Sequence, residues 1–189
     1  MTTHKMTVAI EKLKKKLESQ LVKGQHVNVG VNNNSEIATY ATYLEYGWVQ
    51  TVTARQEAFF RATIGPKNAP HTGSTLVMPA RPTFHNTVLA NSNKWVNIAR
   101  FTMKNTQGPY NSAVILATVG SVAMSDIKAT IAQGGNTKQT FAERSDLTML
   151  MLQHRAETTG HKAGGNTATR KPLVLTGHFL NSITYQIEG

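Results

Sequence analysis

Cysteine is absent from this sequence of 189 residues, so disulfide bonds, thiolate metal ligands and thiol nucleophiles are excluded. Acidic residues are also scarce: ten Asp and Glu stand against twenty Lys and Arg, giving a formal net charge of +10. A balance of this sign favours acidic partners, either nucleic acid or an acidic protein surface. Charge alone does not choose between them.

Long hydrophobic runs are the next absence. No uninterrupted apolar run approaches the roughly 18 to 20 residues that cross a bilayer, and residues 1 to 5 lead into no apolar signal core. The sequence therefore predicts a protein that stays in the cytoplasm where it is made, with no membrane partner. Hydrophobic residues make up 40% and charged residues 16%, and together with the length this predicts a single folded domain over residues 1 to 189 with loop insertions.

Residues that carry catalysis are few. Aspartate occurs only as Asp126 and Asp146, and the eight glutamates are scattered without a recognisable acid–base pair. The seven histidines lack the local spacing of a metal site, so we interpret them as structural or solvent-facing. Residues 134 to 138 lack the glycine spacing and the Gly-Lys-Ser/Thr ending of a phosphate loop and are typical of a helix end. The sequence predicts no enzyme, catalytic residue, cofactor or metal.

Aromatic residues beside basic ones leave a nucleic-acid alternative open. Phe59-Phe60-Arg61 and Lys94-Trp95 pair rings with cations, as single-strand binders do. The same aromatic residues lie on segments with helical patterning, where burial in a core is the simpler interpretation. No helix-turn-helix, finger or ribonucleoprotein motif accompanies them.

Hydrophobic spacing predicts the first half of the fold. Apolar residues at three- and four-residue intervals predict a lysine-rich amphipathic helix at 6 to 22, and strict alternation predicts a strand at 26 to 31 with its valines facing the core. A second helix ends at Gly47. Thr53, three residues before Gln56, predicts a capping box and a short helix at 54 to 63. A loop then leads to a strand at 75 to 78.

The second half is predicted to be mainly helical. Pro82 opens a long helix whose face is marked by Phe84, Val88, Trp95, Ile98 and Thr102, and a second long helix ends at Gly134-Gly135. Ser145 caps a shorter helix, residues 157 to 170 form a mobile loop, and residues 183 to 187 form a last strand beside the first. The predicted class is α+β, a small mainly antiparallel sheet packed against several helices with extended loops. Residues 48 to 78 form an insertion.

Three patches carry a resemblance. They read Tyr43-Leu44-Glu45-Tyr46-Gly47-Trp48, then Met78-Pro79-Ala80-Arg81-Pro82-Thr83-Phe84, and finally residues 171 to 185, KPLVLTGHFLNSITY. In this order they resemble the tailed-phage virion-morphogenesis family of neck and tail-completion proteins. The aromatic residue of the second patch is displaced to Phe84, and the 48 to 78 insertion is longer than in compact members. The motif residues are Glu45, Tyr46, Gly47, Trp48, Pro79, Arg81, Pro82, Phe84, Pro172, Leu173, Thr176, Gly177 and Ser182.

Each patch has a structural interpretation of its own. We expect Gly47 to adopt a left-handed C-cap flanked by Tyr46 and Trp48 as apolar anchors. Arg81 is expected to pair with an acid such as Glu45.

The proline-rich and C-terminal patches are interpreted in the same way. Pro79 and Pro82 fix an extended entry into the long helix. Thr176 is expected to cap a turn from which Phe179 and Leu180 dock. All three patches are therefore expected to build the fold first and to serve function through assembly.

The resemblance implies a structural protein that forms part of a homo-oligomeric ring at the head–tail junction and joins heads to tails. Its implied partners are further copies of itself, head-connector or adaptor proteins, and tail-terminator or tail-tube proteins. Genomic DNA in the channel is an alternative contact for the basic residues, and we favour the proteins. A tail terminator and a free basic nucleic-acid-binding protein remain alternatives. The expected contact segments are residues 65 to 78, residues 157 to 170 and the first helix. Candidate interface residues are Lys14, Lys15, Lys16, Lys67, His71, Lys162 and Arg170.

Overall fold

The computed structural model describes residues 25–31, 36–105, 111–137, 139–159 and 178–189. Within these residues the order of elements is β1 (His26–Val31), α1 (Glu36–Tyr46), β2 (Trp48–Thr51), α2 (Ala54–Ile64), β3 (Thr75–Met78), α3 (Thr83–Asn105), α4 (Ser112–Gln133), α5 (Asp146–Thr159), α6 (His178–Ser182) and β4 (Ile183–Glu188). The α+β class is confirmed. The helix predicted at 6 to 22 lies outside the described residues.

The predicted mobile loop begins too early. Helix α5 continues through Thr159, where the Thr158 and Thr159 hydroxyls donate to carbonyls one turn back and so remain within the helical pattern. The prediction of a loop is therefore wrong for residues 157 to 159. Residues 160 to 170 lie outside the described part of the chain.

The chain divides into two compact units. The first comprises the described residues of Met1–Gly30, Asn91–Asp126 and Thr184–Gly189, and the second comprises those of Val31–Ala90 and Ile127–Ile183. We describe each unit separately. Whether the chain acts as one domain stays a prediction.

In the first unit β1 pairs with β4, which confirms the prediction that the terminal strand lies beside the early one. Gly120 of α4 lies against this sheet: a Cβ there would come within 2.7 Å of Val27 Cγ2 and 2.8 Å of Tyr185 Cδ2. Only glycine permits so close an approach. The β1 valines, expected in the core, are half-buried.

Helices α3 and α4 are joined in the same unit by one carboxylate. Asp126 accepts hydrogen bonds from Lys94 Nζ at 2.7 Å and from Trp95 Nε1 at 2.8 Å. One of the two aspartates of the chain is therefore engaged in helix packing. Lys94 and Trp95 both bind its carboxylate. The ring of Trp95 is half-buried.

The second unit contains a separate two-stranded sheet. Strands β2 and β3 pair antiparallel in the register Trp48↔Met78, Val49↔Val77, Gln50↔Leu76 and Thr51↔Thr75. Helix α2 lies between them in sequence and begins with the predicted capping box of Thr53 and Gln56. Helix α2 has no buried residue, and Phe59 is exposed. The sequence favoured burial of Phe60 or Phe59; Phe60 is half-buried and Phe59 is exposed, because α2 lies at the surface.

The interior of the second unit combines apolar and polar side chains. Leu44, Val52, Ile131 and Ile183 are fully buried. At the start of α3, however, the buried residues are Thr83, Asn86 and Thr87 rather than the predicted face with Val88, which is exposed.

Hydrogen bonds make that polar interior possible. The Thr87 hydroxyl donates to Thr130 Oγ1 at 2.8 Å, and Asn86 Nδ2 donates to Gln139 Oε1 at 2.9 Å. Asn136 Nδ2 donates to the Asn86 carbonyl at 2.9 Å. Because buried polar groups need partners, this network explains why the true inward face of α3 escaped a search for hydrophobic spacing.

Helix α4 is long and apolar enough to span a membrane by length and composition alone. Its sequence is not an uninterrupted apolar run, because Ser and Thr residues together with Asp126 and Lys128 interrupt it. A core helix meets the same criterion, and α4 buries Ile115, Ala123, Ile127 and Ile131. The helix ends at Gly134 and Gly135, as predicted.

Candidate functional site

The first two resemblance patches meet at Gly47, where α1 ends. Its φ of 72° is left-handed, and its amide donates to the Tyr43 carbonyl at 2.8 Å, as expected of a helix C-cap. A Cβ at this position would come within 2.7 Å of the Met78 carbonyl oxygen and 2.8 Å of the Ala80 amide nitrogen. Two independent constraints, backbone conformation and space, therefore require glycine here.

Glu45 connects the same patches from the helix side. Its carboxylate accepts hydrogen bonds from the backbone amides of Phe84 at 3.1 Å and His85 at 2.9 Å. These amides belong to the first turn of α3, which lacks intrahelical acceptors and carries the positive end of the helix dipole. Glu45 therefore caps a helix 39 residues further along the chain.

Arg81 does not form the predicted ion pair with Glu45. Its amide donates to the Leu44 carbonyl at 2.7 Å, while the side chain turns to another segment. Nε donates to the Ala142 carbonyl at 3.0 Å and Nη2 to the Glu143 carbonyl at 3.1 Å. The prediction failed because the carboxylate has two helix amides as partners and the guanidinium has two carbonyls.

The Arg81 guanidinium is buried beside a second arginine. Burial lowers the pKa of Arg81, an effect that Tyr40 opposes and Arg144 reinforces. Burial also lowers the pKa of Arg144, and Tyr40 opposes it there too. The pKa of the Tyr40 hydroxyl is raised, chiefly by burial. The fixed fork of the guanidinium suits two successive carbonyls, which a lysine ammonium matches less well.

The third patch joins the cluster through Phe179, which is buried as predicted. Its ring meets Tyr40 edge-on at a centroid distance of 6.2 Å and Phe84 at 6.4 Å, both with interplanar angles of 89°. Edge-to-face pairs of this kind add to the energy of burial. We call Glu45, Gly47, Arg81, Phe84 and Phe179 the motif cluster. It lies entirely within the second unit.

The remaining motif residues have varied environments. Trp48 is half-buried and its Nε1 donates to Met78 Sδ at 2.9 Å. Tyr46 is exposed, so its prediction as an apolar anchor is wrong; the chain turns at Gly47 and leaves the ring outside. Pro79 is exposed and Pro82 half-buried immediately before α3. Ser182 Oγ donates to the Phe179 carbonyl at 2.8 Å. Outside the described residues lie Pro172, Leu173, Thr176 and Gly177.

Two of the candidate interface residues are described. Lys67 and His71 are exposed in the loop between α2 and β3. His71 Nδ1 lies 3.5 Å from Glu57 Oε1, so His71 faces a carboxylate of its own chain. The others, Lys14, Lys15, Lys16, Lys162 and Arg170, lie outside the described residues.

Glu57 fastens this loop to α2. Its Oε2 accepts from the Thr72 hydroxyl at 2.6 Å and from the Thr72 amide at 2.7 Å, and Arg61 Nη1 lies 3.4 Å from Oε1. Led by the Thr72 hydroxyl, these hydrogen bonds lower the pKa of Glu57 from 4.5 to about 2. The loop is therefore anchored by the ionised form of Glu57.

Acidification is expected to loosen this loop. Because the folded-state pKa lies below the unfolded value, the ionised carboxylate stabilises the fold above about pH 4.5, and the effect is lost as pH falls towards 2. Urea unfolding of the wild type and Glu57→Gln at several pH values measures it. In this pH range the stability of Glu57→Gln should fall less steeply; parallel curves would contradict the anchoring role.

The start of α3 gives a second test. Glu45→Ala leaves two first-turn amides without their acceptor and is expected to cost about 1 kcal/mol of unfolding free energy. Glu143→Ala removes an exposed carboxylate but keeps the main-chain carbonyl of residue 143, which accepts from Arg81. This variant should therefore change stability by less than about 0.5 kcal/mol. Equal losses in urea unfolding would rule out the capping role of Glu45.

The described residues contain few candidates for a catalytic or metal-binding site. Among them no group of three or more His, Asp or Glu side chains could hold a metal ion. Comparisons with protein-family models, curated proteins and solved structures find no match to this chain. The arrangement that stands out is the motif cluster, which joins two helix ends and a C-terminal aromatic residue through packing and hydrogen bonds.

Sequence reasoning missed several residues of this region. Tyr40 and Arg144 stand close enough to Arg81 to influence its pKa, yet neither belongs to a resemblance patch. The carbonyls of Ala142 and Glu143 carry no sequence signal at all, because every residue has one. Exposed Val49 and Val77 were detectable only as strand alternation, which does not say which side faces solvent.

Proposed function

We propose that this chain is a structural virion protein that forms part of a ring at the head–tail junction of a tailed phage, where it joins heads to tails. Its proposed site of action is the virion neck or tail top, after synthesis in the host cytoplasm. The role needs no catalytic residue, cofactor or metal, since it depends on shape and contact.

The motif cluster carries the proposal. Its members come from three patches that stand far apart in the sequence and resemble one family in the same order. Glu45 and Gly47 of the first patch contact residues of the second, and Phe179 of the third packs against Phe84. Residues that contact one another must fit together in shape and bonding. These contacts therefore support a single structural reason for the occurrence of the three patches in one chain.

The cluster also suits a subunit that must keep its shape within an assembly. It fixes the end of α1, the start of α3 and the segment around residue 142 by hydrogen bonds, of which Arg81 to Ala142 and Phe84 to Glu45 are part-buried. Buried, satisfied polar contacts make such a junction specific in geometry. The elements that extend from this junction, above all the β2–β3 hairpin, are then held in a defined orientation relative to the motif cluster.

The net charge of +10 supports acidic neighbours in the same setting. We propose that these are mainly protein surfaces of the connector or tail. A channel lined with many phosphate contacts would bind the genome in a salt-dependent manner and hinder its passage.

Electron microscopy of phage lysates tests the proposal. A stop codon in this gene should give full heads beside unattached tails, and supply of the wild-type protein should restore complete particles. Supply of Gly47→Ala protein should restore fewer particles, whereas Gln153→Ser, which changes an exposed position on α5 outside the expected contact segments, should restore them. Normal virions in the absence of the protein would refute the proposal, and DNA binding at physiological salt would then become the next activity to measure.

A further inference from the structure

The two places where aromatic rings adjoin cations in the sequence have different environments in the structure. The Trp95 indole donates to Asp126 Oδ2, and Lys94 Nζ lies 2.7 Å from Asp126 Oδ1. This ring and this cation are therefore engaged within the chain. Phe59, in contrast, is 57% exposed on α2, so burial in the core does not account for it. The α2 surface remains available to an outside partner.

Helix α2 presents the Phe59 ring beside a cation one helical turn away. Arg55 stands four residues earlier, which places the two Cβ atoms about 5 to 6 Å apart on one face. Ala58 and Ala62, the exposed neighbours of Phe59 on the helix, are too small to cover the ring. The half-buried Phe60 supports the ring edge-on, at a centroid distance of 5.7 Å and an interplanar angle of 60°. The ring is thus held in place and open to solvent.

The charge on this face of α2 is positive. Glu57, the acid of α2, lies on the opposite side of the helix from Arg55 and Phe59. Its carboxylate accepts from Thr72 and faces Arg61 and His71 of its own chain. Arg55 is exposed, and no ion pair between the described residues includes it. An exposed cation without an acid beside it attracts an anionic partner.

We propose that Arg55 and Phe59 form a binding site for single-stranded nucleic acid, in which the ring stacks on a base and the guanidinium binds a neighbouring phosphate. Proteins that bind single strands combine rings that stack on bases with cations that bind the backbone. An acidic protein surface would satisfy Arg55, but its carboxylates would leave the Phe59 ring without a partner. In a duplex each base face is covered by the next base. This inference goes beyond the proposed function and does not depend on it.

Fluorescence anisotropy with a labelled oligothymidylate tests the ring. Full-length wild type should bind, and Phe59→Ala should weaken binding about tenfold, as for loss of one stacked base. Phe59→Trp should restore the affinity, whereas Phe59→Leu, which is apolar but has no π-face, should not. The other basic residues are the same in every variant, so the comparison isolates the ring. Equal binding by wild type and Phe59→Ala, or full rescue by Phe59→Leu, would overturn the proposal.

The salt dependence of binding tests the cation. On single strands the logarithm of the binding constant falls against the logarithm of salt concentration by about 0.7 per phosphate contact, so Arg55→Gln should reduce this slope by about 0.7. Arg61→Gln is the matched control, because Arg61 lies on the opposite side of the same helix and pairs with Glu57. Its slope should match wild type. Equal slopes for the two variants would contradict the phosphate contact at Arg55.

Two further probes decide the class of partner. Phe59→Ala should hardly affect binding to a blunt duplex of equal length, and an effect as large as on the single strand would overturn the choice of a single strand. A labelled polyglutamate peptide bound with the same dependence on Arg55 and Phe59 would assign the site to acidic proteins instead. Because α2 has no buried residue, the urea midpoints of all these variants should stay close to wild type.

Discussion

Gly47→Ala is expected to destabilise the second unit by about 3 kcal/mol. A left-handed φ costs a non-glycine residue about 1 kcal/mol. The added Cβ would also come within 2.7 Å of the Met78 carbonyl and 2.8 Å of the Ala80 amide, and both are backbone atoms that cannot move aside freely. Shifting packed backbone costs a further 1 to 3 kcal/mol, on the order of other overpacked sites. Urea unfolding of the purified chain measures the sum.

Gly73→Ala is the matched control. Gly73 has a φ of 86°, similar to that of Gly47, but a Cβ there would meet nothing within 4 Å. Gly73→Ala should lose only the free energy that a left-handed φ costs a residue with a Cβ, about 1 kcal/mol. If Gly47→Ala and Gly73→Ala lose the same free energy of unfolding, the close approach of the two motif patches at Gly47 does not contribute to stability.

Arg81→Met is expected to cost about 3 kcal/mol of unfolding free energy. Methionine keeps much of the apolar volume but leaves the carbonyls of Ala142 and Glu143 without their donors. Hydrogen bonds from a charged donor are among the stronger ones in proteins, and the donor here is the guanidinium of the buried Arg81. Arg81→Lys should recover only part of the loss, since an ammonium lacks the planar fork.

Arg61→Met tests whether the loss at Arg81 comes from the buried site. Arg61 is exposed on α2 and pairs with Glu57 one turn earlier. An exposed pair of this type contributes well under 1 kcal/mol, so this variant should stay within about 0.5 kcal/mol of wild type. A comparable loss at both positions would show that arginine removal in general, and not the carbonyl contacts, destabilises the chain.

Local sequence patterns predicted much of the fold correctly. The bounds of β3, the capping box at Thr53, the helix end at Gly134 and the cap at Ser145 depend on neighbours within a few residues. Side chains and backbone groups that lie so close in sequence have few alternative partners. The pairing of β4 with β1 was also predicted, because both strands alternate and the helices lie between them.

Partners distant in sequence were harder to predict. Glu45 could have paired with Arg81, but its carboxylate accepts hydrogen bonds from two amides at the start of α3 instead. The inward face of α3 includes the polar residues Asn86 and Thr87, which hydrophobic spacing does not detect, and Val88 of the predicted face is exposed. Such contacts depend on how two segments meet in space. A pattern within one segment contains no information about this meeting.

Exposure was a further source of error. Tyr46 and Phe59 are large and apolar and were expected inside, yet both are exposed. Exposed apolar residues are common singly, but Tyr46, Val49 and Val77 are all exposed where α1 meets the β2–β3 hairpin. In an assembly such residues become buried by a partner. A prediction that assigns every apolar residue to the core of a single chain overlooks this possibility.

The position of the protein in the virion is the measurement that tests the account most directly. Purified virions are incubated with a gold-labelled antibody against this chain, before and after tails are separated from heads, and are examined by electron microscopy. We expect gold at the junction of head and tail, with more label once the junction is opened. Gold on the capsid surface or tail tip, or virions that contain none of the protein, would contradict it.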